Sequence, residues 1–345
     1  MQVTSPFGTL ADGSVVTAHT LSASPDGLRL TVLDLGATVA RLRMPVQGGG
    51  FADVVLGLRS AADYASADNP YLGATVGRYA NRIAGARFTL DGTAHALAAN
   101  EGTTCLHGGP EGFHARRWSV VAGDEASLEL ELVSPDGDQG FPGRVTARCR
   151  YSVTDDAVTI EHRATTDAPT VVSLTNHAYV NLAGSGSIDE HRLTVAADAY
   201  LPVDPASIPL GWAEPVQDTP FDFRSGAELG GRVRSPHPQV RQADGIDHAF
   251  VLPGDGLRVA ALLEHPATGR SLEVSTTQSS VQVYTGNKLD GTLLDRAGAP
   301  LGLRGGIALE CQGHPDAPNQ PAFPSTVLRP GEEYHATTVW RLSRA

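Results

Sequence analysis

The chain has 345 residues with 26 basic and 38 acidic side chains, and its formal charge of −12 argues against a polyanionic partner such as nucleic acid. No stretch approaches the ~18 consecutive apolar residues of a membrane span. Met1–Gly13 lacks the basic and apolar regions of a secretory signal, so a cytoplasmic protein with no membrane partner is expected.

The 38 glycines and 23 prolines break helices and make turns, which favours many short strands. Leu28–Leu35 alternates apolar and polar residues and stops at Gly36. Ser60–Asn69 is the one stretch with a helical pattern. Leu128–Val133 alternates cleanly and ends in the turn sequence Ser134-Pro135-Asp136-Gly137. Val145–Val153, Ala157–Arg163, Val259–Leu263 and the shorter Leu272–Val274 read as half-buried strands. Turn signals at Asp91-Gly92, Thr154-Asp155-Asp156 and Ala267–Arg270 fall between such segments. The Pro-rich stretches Leu201–Pro220 and His314–Pro330 hold aromatic and apolar residues and read as ordered loops. No linker, fixed-period repeat or low-complexity tract divides the chain. The pattern predicts an all-β fold, a large antiparallel β-sandwich, as a single domain over residues 1–345.

Several chemistries are disfavoured at once. Cys105, Cys149 and Cys311 form no CxxC pair, so neither a disulfide framework nor a structural zinc site is expected. No phosphate-binding GxxxxGK[ST] loop occurs. Lys288 is the only lysine, so Schiff-base chemistry would depend on it alone.

Four polar segments stand out instead: Gly77–Ile83 (GRYANRI), Leu106–Gly109 (LHGG), Leu174–Leu182 (LTNHAYVNL) and Ala308–Asn319 (ALECQGHPDAPN). Period two puts Ser173, Thr175 and His177 on one face, against Val172, Leu174 and Asn176. It likewise groups Ala308, Glu310 and Gln312 against Ile307, Leu309 and Cys311. Two faces of small and polar residues inside a sheet read as the floor of a cleft. Taken singly, each residue has a plainer reading: a strand histidine satisfied by a hydrogen bond, a solvated glutamate, a turn at His107.

Together with GIDHAFVL at 245–252, VQVYTGN at 281–287 and the Phe323-Pro324-Ser325 ending, these segments resemble the aldose 1-epimerase (galactose mutarotase) family, in that family's order and over nearly the whole chain. The resemblance implies a β-sandwich with an open sugar cleft that interconverts the α- and β-anomers of free aldoses. It assigns the general acid to His177 and the general base to Glu310. Substrate binding falls to Asn81, Arg82, His107, Asp247 and Gln282. No cofactor and no metal is implied.

The chemistry asks for such groups. Opening a hemiacetal needs a base at the C1 hydroxyl, an acid at the ring oxygen, and hydrogen bonds to the other hydroxyls. A histidine and a partly desolvated glutamate suit a reversible proton exchange near neutral pH. Tyr179, two residues from His177, is the best-placed aromatic for the sugar's apolar face. Trp118 is expected under a hairpin. Sugar preference is expected from Val180, the Leu201–Pro220 loop and Ser279-Ser280.

Three alternatives stand beside this reading. A hexose-phosphate 1-epimerase would need an arginine pair, for which Arg78 and Arg82 are the candidates. A non-catalytic carbohydrate-binding protein would be expected to lack the acid or the base. A metal enzyme would use His107, His177 and Glu310 as a two-histidine, one-carboxylate set. Monomer and homodimer stay open.

Overall fold

The computed structural model describes residues 3–344, organised around three antiparallel sheets. The largest has nine strands, in the order Ser119–Gly123, Ser127–Ser134, Val145–Val153, Ala157–Thr166, Tyr334–Arg344, Arg270–Thr276, Arg258–His265, Arg192–Val195 and Ala227–Glu228. Its strands carry the alternation read from sequence. Leu128, Leu130 and Leu132 are buried on one face, while Glu129 and Glu131 face the opposite way beside Arg148 and Arg150. Burial of each such leucine is worth ~1.5–3 kcal/mol. The last strand, Tyr334–Arg344, lies in the middle of the sheet and joins its two halves.

A six-stranded sheet packs over that face, in the order Tyr179–Val180, Ile307–Gln312, Ser280–Tyr284, Asp247–Val251, Ala199–Tyr200 and Glu214–Pro215. Its Val281, Val283, Ile307, Leu309 and Cys311 enter the same core as Leu130, Ile160, Val274 and Trp340. A five-stranded N-terminal sheet (Val3–Thr9, Val15–Leu21, Arg29–Leu33, Thr38–Pro45, Phe51–Asp53) closes the core with Leu30, Val32 and Val39. The opposite face of the six-stranded sheet is the cleft floor.

Ser60–Asn69 yields a shorter helix than its pattern implies, Ala61–Ala65, with the Ser60 hydroxyl accepting the Asp63 N–H as an N-cap. Two further helices, Leu229–Arg232 and Pro238–Ala243, carry no helical signature in sequence. The first contains two glycines. The second starts on a proline, which suits a first helical turn but reads as loop when met in a Pro-rich stretch. Cys105, Cys149 and Cys311 are free and buried, and burial pushes each thiol up to about 12. Among the described residues no helix is long and apolar enough to cross a membrane.

Candidate active site

Strand register assembles the cleft floor. Gln282 lies directly opposite Glu310, and Asp247 opposite Tyr284, so three neighbouring strands bring Asp247, Gln282 and Glu310 together. Gln282 Nε2 donates to Asp247 Oδ1 at 2.6 Å. Glu310 Oε2 and Gln282 Oε1 are buried with no partner in the protein. Buried polar atoms are almost always paired, so two orphans side by side in a cleft mark places for a ligand's donors.

His177 comes from the adjoining segment, where Thr175–Asn176 pairs with Thr75–Val76. The formal strand is only two residues long, yet the period-two reading holds around it. Val172, Leu174, Ala178 and Val180 enter the core, leaving Ser173, His177 and Tyr179 to the other side. Asn176 fixes the backbone here, its amide donating to Gly73 C=O at 2.8 Å and to the Tyr151 hydroxyl at 3.3 Å. The His177 N–H meets Ala74 C=O at 2.8 Å, and its C=O accepts the Gly73 N–H at 2.9 Å. Its Nε2 then lies 3.5 Å from Glu310 Oε1, with side-chain exposures of 5% and 2%.

The third wall is a pair of turns. The His107 N–H donates to Asn81 C=O at 3.0 Å, and the Asn81 N–H returns to His107 Nδ1 at 3.1 Å. Accepting that bond leaves the lone pair on Nδ1 and the proton on Nε2, so His107 offers the cleft a donor. The turn requires left-handed backbone at Asn81, His107, Gly108 and Gly109. A Cβ on Gly108 would sit 2.0 Å from Gly77 O, so only glycine fits. Asn81 Oδ1 accepts the Arg82 N–H at 2.9 Å, which fixes the backbone that carries Arg82 into the cleft. The Arg82 guanidinium is clamped by Glu101, Nε to Oε2 at 2.6 Å and Nη2 to Oε1 at 2.9 Å.

Pro70, Tyr71, Glu101, Leu106, Tyr179, Tyr284 and Lys288 complete the lining with the seven residues singled out in sequence, all but Gln282 directly on the pocket wall. The cavity has a volume of about 140 Å³ and is open on one side. Burial drives the electrostatics. It pushes the Glu310 carboxyl well above the usual carboxylate range; Asp247 adds to this and Arg82 opposes it. It holds the His177 imidazole down at about 4, and His107 well below its ordinary value.

Ligating atoms of His107, His177 and Glu310 lie within 4.8 Å of one another, a spacing that invites a metal. The tautomer argues otherwise. With Nδ1 accepting a backbone N–H, His107 could bind an ion through Nε2 only as an imidazolate, whereas metal-binding histidines normally donate their other N–H.

Three sequence expectations change. Val180 is buried in the core rather than on a cleft wall, because it alternates with Tyr179. Neither the Leu201–Pro220 loop nor Ser279-Ser280 lines the cleft. Arg78 is 1% exposed and spends its guanidinium on the carbonyls of Pro142, Gly143, Ser134 and Pro135, so it cannot reach a phosphate on the sugar. Tyr179 does line the cleft, its ring 5.1 Å from that of His177 and its hydroxyl donating to Pro70 C=O. Trp118 is buried, with Nε1 donating to Phe113 C=O. Tyr71 and Glu101 carry no signal in sequence, and Lys288, which stands out there only as the single lysine, lies on the same wall. Tyr71 packs edge-on against His107 at 4.5 Å and His114 at 4.7 Å.

Fold and site together describe a β-sandwich with a cleft that gathers buried titratable groups and hydrogen-bonding side chains, the form of a sugar-epimerising enzyme. Residues 18–341 match the aldose 1-epimerase family, and the chain belongs to that family. It is 43% identical over 342 residues to a galactose mutarotase of Bos taurus, covering 98% of both chains. It is 42% identical over 321 residues to an aldose 1-epimerase of Escherichia coli K12, covering 91% of this chain and 92% of the other. Among solved structures, an aldose epimerase homologue of Caenorhabditis elegans superposes with a TM-score of 0.88 at 33% identity, covering 95% of this chain and 99% of that one.

Proposed function

We propose that this protein is an aldose 1-epimerase interconverting the α- and β-anomers of free aldohexoses, with Glu310 as base and His177 as acid. The observation that carries the reading is the buried His177–Glu310 pair, 3.5 Å apart beside unpartnered acceptors. In the form of the pair that carries its one proton on His177, Glu310 takes the proton of the C1 hydroxyl while His177 delivers one to the ring oxygen, and the C1–O5 bond breaks. The aldehyde turns about C1–C2. On closure His177 takes the proton back from the C5 hydroxyl, and Glu310 returns one to the carbonyl oxygen. One proton therefore moves from acid to base on opening and back on closing, so each turnover restores the pair. His107 Nε2–H and the Arg82 N–H groups supply donors; Asp247 and the free Gln282 oxygen accept sugar hydroxyls. Three unpaired, buried cysteines support a reducing, cytoplasmic setting.

Polarimetry tests the assignment. Chelator-treated protein added to fresh α-D-glucose or α-D-galactose should speed the approach to rotational equilibrium. No acceleration with any free aldose would overturn the activity, and loss on chelation alone would favour a metal after all.

A further inference from the structure

Arg82 is buried in the cleft, with 7% of its side chain exposed, among three carboxylates: Asp247, Glu101 and Glu310. Only Glu101 bonds it. That bidentate grip uses Nε–H and one Nη2–H, leaving three of the five guanidinium N–H groups for a sugar. We propose that Glu101 is a positioning residue of the anomerisation reaction, holding the Arg82 guanidinium beside the Glu310 carboxyl without letting it bond there.

The geometry gives Glu101 this task. A buried guanidinium without a partner is costly, so an Arg82 released from Glu101 turns to the next carboxylate in reach. Glu310 and Asp247 are the two that face it. A direct bidentate bond to Glu310 would occupy the orphaned Oε2 and hold the carboxylate ionised, which removes the reversible proton acceptor. Planar fork-to-fork pairing makes the grip directional, so the remaining N–H groups keep one orientation toward the substrate. Lys288 Nζ sits 3.6 Å from the same Glu101 oxygen, but it is 73% exposed and is a weak tether rather than the clamp. This role rests on the proposed acid–base assignment above.

The test compares Glu101→Gln with Glu101→Asp. Polarimetric kcat and KM are measured across pH, with thermal unfolding alongside. Independently of activity, the carboxylic C=O stretch of Glu310, assigned by its loss in Glu310→Gln, is titrated in the infrared. The groups facing Glu310 are His177, His107, Asp247, Arg82 and the hydroxyls of Tyr179 and Tyr284; Arg82, Lys288 and Tyr71 face Glu101. In Glu101→Gln, KM should rise, kcat/KM should fall on the order of 10²-fold, as for a misplaced positioning group, and the Glu310 band should vanish at lower pH. Glu101→Asp, which keeps the charge, should recover most of both. A Glu101→Gln protein with the wild-type band titration, or with losses that follow only a lower Tm, would overturn the role. Wild-type protein inactive on free aldoses would instead sink the proposed function, while the infrared titration still decides the contact between Arg82 and Glu310.

Discussion

Between the lowered His177 value of about 4 and the raised Glu310 value the two groups share one proton, because burial raises the second and lowers the first. The sign of the pH dependence follows. Below about 4, where His177 protonates while Glu310 still holds its proton, the pair has no base. Above the raised Glu310 value it has lost its last proton and has no acid. Between these limits a single proton moves between the two groups, and apparent values belong to the pair. The kcat/KM profile should therefore be a plateau with an acid limb near 4 and a basic limb above the ordinary carboxylate range. Asp247→Asn removes a negative neighbour of Glu310, so it should move the basic limb downward while raising KM; an unmoved limb would contradict that electrostatic link. Glu310→Gln and His177→Asn should each lower kcat by ~10²–10⁴-fold with smaller changes in binding. Either variant retaining wild-type turnover would break the assignment.

At the scale of elements, the strands and the hairpin turns that join them are legible, whereas contacts between distant loops are not. Alternation around His177 and Glu310 reveals which residues face the cleft, because a strand's period is a local property of the backbone. It works even where only Thr175–Asn176 is formally paired. Glu101 and Tyr71 leave no such signal. Their roles arise when loops bring Glu101 against Arg82 and Tyr71 against His107, contacts that no periodicity encodes. Val180 was misread for a related reason: its neighbour Tyr179 faces the cleft, so Val180 must face the core. Arg78 and Arg82, four residues apart, look alike in sequence and differ wholly in structure. Arg78→Met should lower stability, by ~1–3 kcal/mol for a buried acceptor left unpaired, since it strips a donor from the buried carbonyls of Gly143 and Ser134, and KM for sugar should stay put. Arg82→Ala should do the reverse, raising KM strongly with a smaller loss of Tm. Gly108→Ala tests the turn itself. The collision with Gly77 O and the left-handed backbone should displace His107, lowering both Tm and kcat/KM. A variant with native Tm and kinetics would show that the turn tolerates a side chain.

For the whole molecule, the net charge of −12 has a kinetic consequence that separates neutral from charged substrates. Three carboxyl-bearing residues line the cleft, Glu101, Asp247 and Glu310, against two cationic ones, Arg82 and Lys288. With the His177–Glu310 pair neutral overall, the cleft's charges balance, and it is the −12 of the whole molecule that repels a phosphorylated sugar at long range, while a neutral aldose feels only the local hydrogen bonds. Raising ionic strength from about 0.01 M to about 1 M shortens the Debye length from ~30 Å to ~3 Å, which erases that long-range field. The bidentate Arg82–Glu101 pair, mostly shielded from solvent, is screened far less. For a free hexose, kcat/KM should accordingly change by no more than about two-fold over this range, since no steering is lost. A hexose 6-phosphate should bind poorly at low salt and improve as salt rises. Arg78, consumed by backbone carbonyls, leaves Arg82 and Lys288 as the cleft's cations, and both already contact Glu101. Polarimetric rates for glucose and glucose 6-phosphate at both salt extremes decide the matter. A phosphorylated sugar turned over faster than the free one at low salt would reverse the substrate class inferred from this cleft.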